Sequence, residues 1–205
     1  MAEKYDLRAL FRLILNSRTY QQSALPQSTG AQATALGASY PVRRLPAEVM
    51  IDALDWVGGT EESYVSAVPE PFTWLPGSRR SIGIPDGSIT SANLMMFGRP
   101  SRDSGLEAER INQPSDAQEL FLLNSSDVQR RIAHSPRLQA VLATAAGDQA
   151  QIIRGTYLTL LDRDPLPAEQ AAAEKYWLTP GLSSTDAATD LAWALVNSAE
   201  FEFRH

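Results

Sequence analysis

Cysteine is absent from this chain of 205 residues. Disulfides, thiolate nucleophiles and Cys-based zinc or iron–sulfur sites within it are therefore excluded, while the compartment stays open. Histidine is nearly absent too, being confined to His134 and His205. Neither lies in a carboxylate-bearing pattern, so neither a metal site nor a catalytic triad is expected. The many serines include no Gly-x-Ser-x-Gly elbow, and no phosphate-binding Gly-Lys-Ser/Thr loop occurs. Asp162-Arg163-Asp164-Pro165 lacks the glycine and terminal glutamate of a calcium loop and reads as a helix stop. No catalytic residue, metal ligand or cofactor is assigned from the sequence.

Excess positive charge is also missing. The formal net charge is −6, whereas a nucleic-acid partner requires a basic face. The pairs Arg43-Arg44, Arg79-Arg80 and Arg130-Arg131 lie far apart and read as solvated surface. No apolar run approaches the ~20 residues of a membrane span. The opening MAEKYDLRALF enters an amphipathic pattern directly, without the apolar core and cleavage site of a signal peptide. Such an abrupt helical start is expected of a piece of a longer protein. With 43% hydrophobic and 20% charged residues, the composition is that of an ordinary globular chain.

Helical periodicity dominates both ends. Leu7, Leu10, Phe11, Ile14 and Leu15 follow the spacing of one buried stripe, with Arg8 and Arg12 on another face. A second helix is predicted from Pro46 to the Gly58-Gly59 pair, with Met50, Ala53, Leu54 and Val57 inward and Asp52 and Trp56 off that line. Residues 59–100 alternate prolines and glycines, which forbids long helices. Phe72, Trp74, Ile82 and Ile84 would anchor this excursion, and only Ser91 to Phe97 suits a short helix. Gln21 to Tyr40 reads as a second, mobile loop.

From Ser115 helices return. Ser115 and Gln118 match a capping box ahead of the apolar Leu120-Phe121-Leu122-Leu123. Ser126 or Asp127 is expected to cap the next helix, with Val128 and Ile132 inward. Pro136 opens another, bearing Leu138, Val141, Leu142 and Ala145. Ile153, Tyr157, Leu160 and Leu161 form the stripe of the next, which stops at Asp164-Pro165. A further helix runs from Pro167 through Trp177, and Ser184 or Thr185 caps the last. Strand alternation is not evident. The expected class is all-α: an irregular multi-helix bundle with long ordered loops. It is read as one domain, 1–205, with a helical pair (1–58), an irregular excursion (59–112) and a C-terminal helical part (113–205).

Three Asn-Ser steps come after apolar runs, at Asn16, Asn124 and Asn197. They read as helix corners, because Asn tolerates the left-handed conformation that ends a helix and Ser caps the next one. The remaining chemistry lies in Asp103, Glu107, Glu109 and Arg110. Two of these acids would make an acid/base pair, but residues two apart share a direction only in a strand. The favoured reading is a clasp, in which Glu109 or Arg110 pairs with an opposite charge and fastens the loop to the helices.

The ordered blocks "LRALFRLILNSRTYQ", "RRLPAEVMIDAL", "FGRPSRDSGLEAER", "QELFLLNSSDVQRRI" and "DLAWALVNSAEFEFRH" resemble the C-terminal domain of unknown function 1553, of the planctomycete surface domain type, found in large planctomycete-type proteins. That resemblance covers nearly the whole chain. It implies upstream companion domains, often with a cytochrome-c-like haem domain, and an extracytoplasmic setting; it implies no reaction. Where many relatives read Cys-x-Cys-Glu-Arg, this chain has Leu106-Glu107-Ala108-Glu109-Arg110, so a role of that cysteine pair does not transfer. Residues 155–177 also resemble a helix–turn–helix with a Tyr…Leu-x-Arg-x-Pro…Trp pattern, in which Tyr157, Pro165 and Trp177 would staple an αα-hairpin.

The expected function is a non-catalytic helical C-terminal module of a larger exported protein. It would serve interdomain packing or partner binding, with the upstream domains as partners and an envelope protein or polysaccharide as a further one. The rivals are a hydrolase or carbohydrate-active domain using the acids of 103–110, and a docking partner for a haem domain.

Overall fold

The computed structural model describes residues 5–24, 30–66, 68, 75–85 and 87–204, without the side chains of Ala31, Thr34 and Glu107. Phe72, Trp74 and His205 lie outside the described residues. The chain is mainly helical and divides into two compact units, one reaching Arg43 and including Phe203–Arg204, the other spanning Arg44–Glu202.

In the first unit, α1 (Leu7–Leu15) starts where the Asp6 carboxylate accepts the Arg8 and Ala9 N–H groups. The expected buried stripe is not observed: no residue of α1 is buried, and Leu7, Leu10, Phe11, Ile14 and Leu15 are all exposed. Amphipathicity selects the face that seeks cover, and the described residues of this unit leave that face exposed. Gln21 to Tyr40 is also not all loop. After Gly30, the alanine-rich Ala31–Ala35 forms α2, as its propensity favours.

The second unit is built around α3 (Ala47–Gly58), which runs from Pro46 to a left-handed Gly59 at φ 62°. Met50, Ile51, Leu54 and Val57 are buried, and so is Asp52. The carboxylate of Asp52 accepts N–H groups of Ser81 and Ile82 at 2.6 and 3.2 Å. It thus holds the one-turn 3-10 helix Ser81–Gly83 against α3. Ile84 packs on the core, but Ile82 is 58% exposed and is not an anchor. The excursion also contains a small antiparallel pair, β1 (Val65–Ser66) with β2 (Ile89–Thr90), in register Val65 to Thr90. Two-residue strands carry too little alternation to be seen in sequence. Next comes α4 (Ala92–Met96), capped by the Ser91 hydroxyl, which accepts the Leu94 N–H at 3.1 Å.

The C-terminal helices are α5 (Asp116–Asn124), α6 (Ser126–Ala133), α7 (Pro136–Ala145), α8 (Gln149–Leu161), α9 (Pro167–Trp177), α10 (Ser184–Val196) and the single turn α11 (Ala199–Glu202). The capping box opens α5, with Gln118 Oε1 accepting the Ser115 N–H at 3.0 Å. Its apolar run is buried only at Leu122; Leu120 and Leu123 face solvent. The caps of α6 and α10 are Ser125 and Ser183, each one residue earlier than expected. An earlier serine releases the following residue to start the helix. On α10, Ala187, Ala188, Ala192, Leu195 and Val196 are buried while Ala194 is exposed.

One core cluster joins α3 to α4, α5, α6, α7, α10 and α11 through Leu54, Leu94, Leu122, Ile132, Leu138, Val196 and Phe201. A second gathers Ile153, Tyr157, Ala173 and Leu195 from α8, α9 and α10, with Trp177 packed against it.

Candidate functional site

The loop after α4 doubles back on α3. Gly98 takes φ 99°, and a Cβ there would stand 2.0 Å from the Ile111 carbonyl oxygen. Only glycine lets the two backbones approach so closely, and the Ile111 N–H donates to the Gly98 carbonyl at 3.0 Å. Gly87 meets Asp103 in the same way, accepting its N–H at 2.8 Å. These contacts deliver Arg99, Asp103 and Arg110 to the first turn of α3, where Glu48 lies.

The four side chains form a closed, charge-balanced quartet. Arg110 donates Nη1 to Glu48 Oε2 and Nη2 to Glu48 Oε1, both at 2.8 Å, the bidentate geometry that suits guanidinium and carboxylate. Its Nη2 also donates to Asp103 Oδ2. Arg99 flanks both acids, with Nη1 at 3.5 Å from Glu48 Oε1 and Nε at 3.6 Å from Asp103 Oδ2. Side-chain exposure is 4% for Arg99, 7% for Glu48, 8% for Asp103 and 18% for Arg110, so solvent screens the pairs weakly. The quartet lines an open concavity of about 330 Å³ with Ser81 and Asn112.

Burial opposes ionisation of Glu48, but the Arg110 hydrogen bonds and the two guanidinium charges outweigh it and hold the carboxyl below its ordinary value. For Asp103, burial is likewise overcome by the Gly105 N–H and by Arg110 and Arg99, again lowering it. The hydrogen bonds that Arg110 donates to Glu48, against the cost of burial, raise the guanidinium. Both carboxyls are thus kept ionised, the opposite of the raised carboxyl that a general acid needs at neutral pH.

The structure brings Asp103 and Arg110 together and leaves Glu109 apart from them. Glu109 is exposed and accepts the Ser104 N–H at 3.1 Å, a turn contact within the loop. Glu107 lies with it on the one-turn 3-10 helix Glu107–Glu109, and its side chain is outside the described residues. Glu48 and Arg99 complete the quartet, and sequence reasoning does not single them out. The four-residue spacing of Arg99 and Asp103 is no signal either, because residues 99–103 are not helical and the spacing sets no shared face.

Asn16 and Asn197 stand just past the ends of α1 and α10, and Asn124 is the last residue of α5. The corner mechanism differs from the left-handed one expected. Asn16 and Asn197 have φ −90° and −89°, and their Nδ2 groups donate to the carbonyls of Arg12 and Trp193 at 2.8 Å. Each side-chain amide adds a second donor to a carbonyl that already accepts the same residue's backbone N–H, at 3.0 Å for Asn16 and 3.1 Å for Asn197, and no backbone reversal occurs there. His134 ends α6, its Nδ1 3.0 Å from the Arg130 carbonyl oxygen.

Two further arginine hubs escape the sequence. Arg131 on α6 is buried rather than solvated. It reaches Asp127, Asp55, Thr60 and Glu62, tying α6 to α3 and the chain after it. Arg44 departs from the expected solvated surface in the same way, being buried with its guanidinium over the Phe97 ring. Arg163, the second hub, comes after the left-handed Asp162 at the end of α8 and binds Glu169 and Glu200 through four contacts of 2.6–2.8 Å. The Asp-Arg-Asp-Pro step is therefore a helix stop that also fastens α9 and α11. Among the described residues, no group of three or more His, Cys, Asp or Glu side chains is arranged to hold a metal, and no helix is long and apolar enough to cross a membrane.

The family PSD1, described as a protein of unknown function (DUF1553), matches residues 1–177. The chain belongs to the PSD1 family. Curated proteins and solved structures yield no match. All four residues of the quartet and the Arg131 hub fall within the PSD1 match, whereas α10 and Glu200 lie beyond its end.

Proposed function

We propose that this PSD1 domain is a non-catalytic helical module that packs against the other domains of a larger exported protein, or against an envelope partner. The observation that carries this reading is the quartet. Every described carboxylate in it is occupied by arginine and held ionised, so the loop is fastened and neither Glu48 nor Asp103 is poised to donate a proton. Glu109, the remaining described acid of the loop, is engaged in a local turn. The engagement of Asp103 by arginine and of Glu109 by the turn supports the module reading over the hydrolase and carbohydrate-active alternatives.

Helix α1 supplies the packing surface. Leu7 is 66% and Phe11 61% exposed, and a nine-residue helix without buried side chains gains little stability by itself. The test is calorimetry of the chain against the rest of its parent polypeptide. Binding is expected, and Leu7→Asp with Phe11→Asp should weaken it about tenfold or more at unchanged melting temperature. A monomer that bound neither that polypeptide nor any envelope component would overturn the reading.

A further inference from the structure

Helices α9 and α10 enclose a groove of about 390 Å³, far from the quartet in sequence and independent of it. Its size is that of a small-ligand site. Ala173, Tyr176 and Trp177 of α9 face Asp190, Trp193 and Ala194 of α10. Three aromatic rings and one carboxylate are thus gathered on a lining otherwise formed by aliphatic side chains.

The polar groups decide what the groove suits. Tyr176 donates its hydroxyl to Asp190 Oδ2 at 2.6 Å, placing the carboxylate beside the ring. Among the described residues no arginine or lysine pairs with Asp190, and it is the only charged residue lining the groove. Trp177 Nε1 is buried without an acceptor, so the surface that this ring offers is carbon. A sugar would need several donors and acceptors around its hydroxyls, but the hydroxyl and carboxylate here already engage each other. A cation is attracted both by aromatic faces and by an unneutralised carboxylate.

We infer that this groove binds an organic cation, an ammonium group carried on an apolar body. The source is a free alkylammonium or a lysine side chain of a polypeptide.

The experiment monitors the indole N–H resonances of Trp177 and Trp193 in the full chain. Choline, Nα-acetyl-lysine methylamide and the uncharged tert-butyl isostere of choline are titrated separately. Saturable shifts are expected with a cation at millimolar concentration, and the isostere should bind about tenfold more weakly. Asp190→Asn should abolish that preference, and Ala194→Leu, at an exposed position that fills the groove, should abolish binding. Tighter binding of choline supports the proposal with a free ammonium as the source, and tighter binding of the lysine derivative supports it with a side chain. Equal binding of the isostere, unchanged binding in Asp190→Asn, retained binding in Ala194→Leu, or no saturable shift with either cation would each overturn it.

Discussion

Glu48 holds two guanidinium groups at a buried position, so removing its charge leaves Arg99 and Arg110 in excess. Breaking one partner of a buried ion pair costs about 3–5 kcal/mol, because the charge left behind is uncompensated. Glu48→Gln is therefore expected to lower the unfolding free energy by about 3 kcal/mol in urea denaturation. Glu109→Gln, which loses only an exposed turn contact, should stay within about 0.5 kcal/mol. Acid titration tests the same residue differently. The folded Glu48 value lies below its ordinary 4.5, so its contribution is present above that value and is lost as pH falls through the folded one. Burial pushes Asp55 and Glu202 upward, giving them the opposite sign, so the informative quantity is a difference between variants. The melting-temperature gap between wild type and Glu48→Gln should be constant near neutrality and narrow below pH 4.5.

Elements were legible where their signals are local. Pro46, Gly59 and the Ser115–Gln118 box mark helix ends by chemistry confined to one turn, and the structure places those ends accordingly. Glu48 and Arg110 are 62 residues apart, and Arg131 and Asp55 are 76 apart. No local pattern encodes such meetings; the close backbone approaches at Gly98 and Gly87 create one of them. Ser135 belongs to both classes. As the cap of α7 its hydroxyl accepts the Leu138 N–H at 3.3 Å, and it donates to the Val57 carbonyl at 2.6 Å. The first bond is set by position before Pro136. The second joins the end of α3 to the start of α7 and is tertiary. Ser135 is fully buried, so Ser135→Ala leaves orphan groups at two helix termini. A loss of about 2 kcal/mol is expected by chemical denaturation, whereas Ser183→Ala, at the exposed cap of α10, should cost about 1 kcal/mol.

At the scale of the molecule, stability is unevenly distributed between the two units. Arg44–Glu202 holds both core clusters, whereas α1 in the other unit has no buried residue. Local opening free energies track buried contacts. Amides of α3, α8 and α10 should therefore exchange with solvent hydrogen only through global unfolding. Those of α1 should exchange orders of magnitude faster, since an isolated helix of about nine residues is marginal in water. Hydrogen exchange read by mass spectrometry checks both, and protection of α1 equal to that of α3 would contradict them. The same measurement bears on partner packing. A partner that covers Leu7 and Phe11 removes apolar surface from water and couples α1 opening to its own dissociation. The α1 amides should then slow in proportion to partner occupancy, with α3, α8 and α10 unchanged. If slowing appeared in α3 and not in α1, the contact surface would lie on the second unit, and the exposed stripe of α1 would have no part in it.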